Sequence, residues 1–149
     1  MKALLASAIA AVAFAAPALA QDAFADTEKF YATFADALNG DDVAAIQALY
    51  AEGVVFVPSP GVALTKAEDI AGALAQFAAM SDQFDVKLRA VYENGDTLLA
   101  VADWTLAGKS ADGAAISLSG STADVLRRSA DGTLRAVIDN PFGSALPQQ

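Results

Sequence analysis

Apolar residues in this chain repeat with two different periods. From Asp26 to Leu38, Phe30, Phe34 and Leu38 fall at four-residue steps with Tyr31 and Ala35 beside them, which predicts a helix with one apolar face. Asn39-Gly40 ends it, and Asp41 is placed to cap a second helix carrying Val43, Ile46, Leu49 and Tyr50 and closed by Gly53. Val54 to Val57 is wholly apolar and predicts a short strand, and Pro58-Ser59-Pro60-Gly61 predicts a loop. Thr65 and Glu68 have capping-box spacing at the head of a third helix, Lys66 to Ala79.

Beyond Phe84 the period drops to two. Phe84, Val86, Leu88, Ala90 and Tyr92 alternate with Asp85, Lys87 and Arg89, Asn94-Gly95 signals a type I′ hairpin, and a second strand covers Thr97 to Ala107. Ala114 to Phe142 then reads as a last hairpin with Asp131-Gly132 at its tip. With Gly132 in the left-handed position of a three-residue loop, Ser129 lies opposite Thr133. Arg127 then faces Arg135, Leu126 faces Ala136 and Asp124 faces Ile138. That register puts Asp124 and Asp139 on opposite faces, so at most one of them enters an interior pocket. The order is helix, helix, strand, helix and four antiparallel strands, an α+β arrangement.

Composition changes the picture at the start of the chain. Lys2, an apolar run from Ala3 to Ala16 and Ala18-Leu19-Ala20 make residues 1–20 an expected signal peptide, cleaved before Gln21. The expected mature chain, 21–149, fits one domain, periplasmic or secreted and not membrane-bound after cleavage. The chain has 9 Lys and Arg against 18 Asp and Glu; losing Lys2 leaves 8 against 18, a net charge of −10. Such a surface repels phosphate, which argues against nucleic acid as a partner. The sequence has no Cys and no His, which removes thiol chemistry, Ser-His-Asp hydrolysis and ordinary zinc sites.

The words Ala37-Leu38-Asn39-Gly40-Asp41, Leu49-Tyr50-Ala51, Asp124-Val125-Leu126-Arg127-Arg128, Asp131-Gly132 and Val137-Ile138-Asp139-Asn140-Pro141-Phe142-Gly143, in this element order, resemble the nuclear transport factor 2-like superfamily, in its SnoaL-like and ketosteroid-isomerase-like branch. The resemblance implies a cone-shaped curved antiparallel sheet packed on three N-terminal helices (a cystatin-like shape), with a pocket at the open end. It implies a small organic ligand, no cofactor or metal, and a homodimer through the outer sheet face. Activities in the superfamily vary, so a binding protein, a cofactor-free isomerase, dehydratase or cyclase, and an interaction module with a vestigial pocket all stay open. By motif alignment the tyrosine of the ketosteroid isomerases falls on Phe34 and their base carboxylate on Pro58, so two parts of that mechanism are missing; their second carboxylate finds Asp124.

Candidate chemistry rests on Asp124 and Asp139. Either is an inner-face carboxylate able to exchange a proton, or a solvated strand residue, with Arg128 and Arg135 as salt-bridge partners for Asp124. The candidate ligand-binding residues are Tyr31, Phe34, Tyr50, Phe56, Trp104, Leu126 and Asn140. Trp104 shares a strand face with Ala100 and Ala102, whose small side chains leave room beside the ring. Ser117, Ser119 and Ser121 form a polar stripe suited to solvent or a wet dimer contact.

Overall fold

A computed structural model describes residues 18–145 and 147, with side chains from Ala23 onward. The expected leader lies outside the described residues except for Ala18–Ala20, which open the first helix. Three helices, α1 (Ala18–Asn39), α2 (Val43–Ala48) and α3 (Ala67–Ala79), accompany six strands: β1 (Tyr50–Ser59), β2 (Val62–Leu64), β3 (Ser81–Asn94), β4 (Thr97–Lys109), β5 (Ala115–Arg128) and β6 (Leu134–Asp139). The strands form one open sheet in the order β2-β1-β6-β5-β4-β3. It is mixed, because β1 pairs with β6 in parallel while every other pairing is antiparallel. No described helix is long and apolar enough to cross a membrane.

Local chemistry moves several expected boundaries. The second helix is capped by Asp42, whose carboxylate accepts from Ala45 N at 2.9 Å, while Asp41 takes a positive φ of 55° in the turn before it. That helix stops at Ala48, so Gly53, at φ 72°, lies inside β1 at an irregularity of its pairing and does not close α2. Pro58 and Ser59 extend β1, and Pro60-Gly61 turns the chain into the edge strand β2; Pro58 is tolerated at a register shift where the ladder asks for no N–H. The expected capping box does not form: Lys66 is the N-cap of α3 and makes no side-chain cap. The β3–β4 turn consists of Gly95-Asp96 between paired Asn94 and Thr97. Only Gly95 has positive φ there, the type II′ pattern and not the I′ expected for Asn94-Gly95.

The core lies between α1 and the inner face of the sheet. Leu38, Ile46, Leu98, Ala100, Ala102 and Leu126 are fully buried, and α1 packs on β3 and α2. The Asn39 side chain fixes that contact. Its Nδ2 donates to Phe84 O at 3.0 Å and its Oδ1 accepts from Phe84 N at 2.7 Å, satisfying the free backbone of the edge strand β3.

The last hairpin decides where the site sits. Its tip is as expected: Gly132 has φ 84°, Ser129 N donates to Thr133 O at 2.8 Å, and Arg127 pairs with Arg135 and Leu126 with Ala136. The next pair is Val125 with Ile138, so Val137 is an extra residue on β6. This β-bulge reverses the alternation beyond it. Asp139 joins Asp124 on the inner face, contrary to the expectation that one would point outward. Val125 and Ile138, which the unbulged register set on opposite faces, pair with each other on the outer face.

Candidate functional site

Between α1, α3 and the inner face of the sheet is a cavity of about 190 Å³. Its wall is mostly aromatic. Phe30, Tyr31 and Phe34 come from α1, Phe56 and Pro58 from β1, Phe77 and Met80 from the end of α3, Phe84 and Val86 from β3, Trp104 from β4, and Phe142 from the turn after β6. Trp104 stacks on Phe84 with ring centroids 6.1 Å apart and meets Phe77 edge-on. Its Nε1 donates to Pro141 O at 2.7 Å, so the Asn140-Pro141-Phe142-Gly143 turn is tied to the cavity rim. Gly120 sits opposite Trp104 on β5, where a Cβ would come within 2.8 Å of the indole; the ring lies flat on the sheet because this position has no side chain.

Both candidate carboxyls are on the wall. Asp124 is held at both oxygens: Tyr31 OH donates to Oδ2 at 2.6 Å and Asn140 N to Oδ1 at 2.7 Å. Asp139 receives a short hydrogen bond from Tyr50 OH at Oδ2, and among the described residues no donor reaches its Oδ1. The Thr122 hydroxyl is buried in the same wall, close enough to favour charge on Asp124 and Tyr31, yet not aligned for a hydrogen bond of its own. The salt bridges expected for Asp124 are not made. Arg128 instead pairs with Asp26 at 2.7 Å, and Arg135 donates to Ala48 O.

These surroundings give the two acids different roles. Burial pushes Asp139 up to about 8, the negative charge of Asp124 adds to the rise, and the Tyr50 hydroxyl opposes it. Burial also raises Asp124, but Thr122, Tyr31 and the Asn140 amide all favour its ionised form. The pair therefore loses its first proton mainly from Asp124 and retains the second on Asp139 near neutral pH. Tyr31 and Tyr50 are shifted upward, first by burial and then by the neighbouring carboxylates, and remain donors. A neutral acid and a hydrogen-bonded carboxylate on one dry wall can give and take a proton without a metal.

Of the candidate ligand-binding residues, Tyr31, Phe34, Phe56 and Trp104 line the cavity. The other three do not. Tyr50 stands behind Asp139, Leu126 is buried in the core, and Asn140 contributes its backbone to Asp124 while its side chain donates to Gly143 O at 2.9 Å. Sequence reasoning missed Thr122, Phe77, Phe84 and Phe142. Phe84 falls on the apolar face already predicted for β3; nothing in the pattern marked Phe77, Thr122 or Phe142 as cavity residues.

A family model for the SnoaL-like domain matches residues 31–137, well over half of the sequence. The chain belongs to the SnoaL-like domain family. Solved structures with the same fold include a ketosteroid isomerase-like protein from Erwinia carotovora atroseptica, at 20% identity and TM-score 0.68, covering 78% of this chain and 92% of that one. A nuclear transport factor 2-like superfamily protein from Salmonella enterica serovar Typhimurium matches at 14% identity and TM-score 0.68, over 87% and 98% of the two chains. A conserved protein from Planctomyces limnophilus matches at 17% and 0.68, over 77% and 91%. At these identities the likeness concerns the SnoaL-like fold alone. No curated protein sequence matches the chain at a significant level.

Proposed function

We propose that this SnoaL-like domain takes a small, largely apolar organic molecule into its aromatic cavity and moves a proton on it, with Asp139 as the acid-base group. The observation that carries the reading is two buried carboxyls on one cavity wall, Asp124 held by donors at both oxygens and Asp139 by Tyr50 alone, where burial and the charge of Asp124 raise Asp139. A purely binding cavity has no need for such a pair, which is costly to bury. Asp139 touches the ligand and exchanges the proton through its open Oδ1. Asp124 supplies the fixed negative charge, positioned by Tyr31 and the Asn140 amide. The class of reaction is isomerisation, dehydration or cyclisation by acid-base chemistry.

The protein acts outside the cytoplasm, in the periplasm or secreted, after cleavage at Ala20, and the single domain 21–149 works as a homodimer. A row of apolar residues across the outer sheet face, Tyr92, Leu99, Val125, Ile138 and Val55, supports the dimer: each pairs with the next across the ladder, and Tyr92, Leu99 and Ile138 are exposed.

The test is native mass spectrometry of protein isolated from its own cells, followed by incubation of the retained molecule with protein in D₂O. The expected result is a bound organic molecule that gains carbon-bound deuterium with the unaltered protein and not with Asp139→Asn. A retained molecule that gains none with either would leave binding without turnover.

A further inference from the structure

Among the described residues the carboxyl pair has no counter-charge. Its partners are all neutral donors, the Tyr31 and Tyr50 hydroxyls and the Asn140 amide. Among the described residues lining the cavity there is no Lys or Arg. Arg89, Lys109 and Arg128 are engaged elsewhere, with Asp103, Asp82 and Asp26. A buried carboxylate with no cation beside it is one of the costlier arrangements in a protein interior, and a positive ligand removes that cost. The remaining wall, with Trp104, Phe84 and Phe77, is aromatic and apolar and suits the uncharged body of such a ligand. An anionic ligand meets the charge of Asp124 with no Lys or Arg on the described wall to offset it.

Resting on the reading that the cavity holds a small apolar molecule, we infer that the molecule is an organic cation, a protonated amine on an apolar body about the size of one ring. The ammonium group sits against Asp124 and Asp139, and the body fills the aromatic part of the cavity. Binding draws Asp139 toward its ionised form, so the same ligand that supplies the missing charge converts the acid into a base facing it. The groups facing the ammonium are Asp124 and Thr122 from β5, Asp139 from β6 and Tyr31 from α1, with Tyr50 from β1 behind Asp139.

The probes are benzylamine, benzyl alcohol, acetophenone and benzoate, which share a ring and differ in charge. Trp104, the sole tryptophan of the sequence and a wall residue, reports binding by fluorescence. At pH 7 benzylamine binds at least tenfold more tightly than the alcohol or the ketone, and benzoate does not bind measurably. In the Asp124→Asn/Asp139→Asn double variant the amine comes within about twofold of the alcohol, whose own affinity is retained and shows the cavity intact. Should that variant not fold, the unaltered protein still decides. Amine affinity rises between pH 6 and pH 8.5 as the pair ionises, while alcohol affinity stays flat. Alcohol or ketone binding as tightly as the amine, or an amine affinity independent of pH, overturns the cation and leaves the cavity reading standing. Failure of every probe to change Trp104 fluorescence overturns both.

Discussion

Asp139 keeps its proton because burial and the charge of Asp124 act in the same direction, against a single opposing hydroxyl from Tyr50. The consequence for stability has a definite sign. The folded carboxyl binds its proton more tightly than the unfolded one, so stability is fullest below about pH 4 and is lost as pH rises toward 8. Asp139→Asn cannot ionise; it should stabilise the empty protein by on the order of 2 kcal/mol at pH 7 and flatten that decline, as read from denaturant midpoints between pH 4 and 8.5. A midpoint that instead rises with pH in the unaltered protein, with no gain from Asn, contradicts the assignment. Tyr50→Phe removes the one donor favouring the ionised form, so the titration of Asp139 should move above about 8. At Gly120 any side chain drives into the indole. Gly120→Val should cost about 1–3 kcal/mol by overpacking and shift Trp104 fluorescence; an unchanged spectrum would mean the ring is not pinned there.

At the scale of elements, the apolar periods gave the helices and most strands, because a buried face imposes its repeat on the sequence. Gly132 and its hairpin register were legible because the left-handed position of a three-residue loop favours glycine, and Gly132 takes it at φ 84°. The Val137 bulge was not legible. A bulge leaves the alternation Ala136, Val137, Ile138, Asp139 looking like an ordinary strand, since every residue before Asp139 is apolar on either assignment. That one residue decides whether the chain has one interior carboxyl or two. The parallel β1–β6 pairing was equally silent, because it joins segments far apart in sequence. Deleting Val137 restores regular alternation and should turn Asp139 to the outer face. The expected outcome is loss of the high Asp titration with the Trp104 environment kept; a retained high titration would show that the bulge is not what brings Asp139 inside.

For the whole molecule, the resemblance carried by Asn39-Gly40 and Asn140-Pro141-Phe142-Gly143 marked the fold, since both words sit where the chain closes around the cavity. It could not mark the site chemistry, because the isomerase positions are Phe34 and Pro58 here while hydroxyls arrive from Tyr31, almost one turn earlier in α1, and from Tyr50. The outer face was obscured by the same bulge, since the unbulged register set Val125 and Ile138 on opposite faces and broke the row they form. If that apolar row is a dimer contact, Leu99→Glu with Ile138→Glu should convert a sedimenting dimer to a monomer with the cavity intact. A native protein that sediments as a monomer at micromolar concentration contradicts the dimer.

A cavity-facing carboxyl at position 139 that stays protonated near neutral pH beside an ionised neighbour is what sets this site apart from an ordinary apolar cavity. The most direct measurement is a carbon-13 NMR titration of the aspartate side-chain carboxyls, assigned with Asp139→Asn and Asp124→Asn. One carboxyl, absent from the Asp139→Asn spectrum, should titrate near pH 8 and move downward in Asp124→Asn, where the neighbouring charge is gone. If every aspartate titrates below about pH 5, in the range of free carboxylates, the pair is not desolvated and Asp139 is no acid at neutral pH.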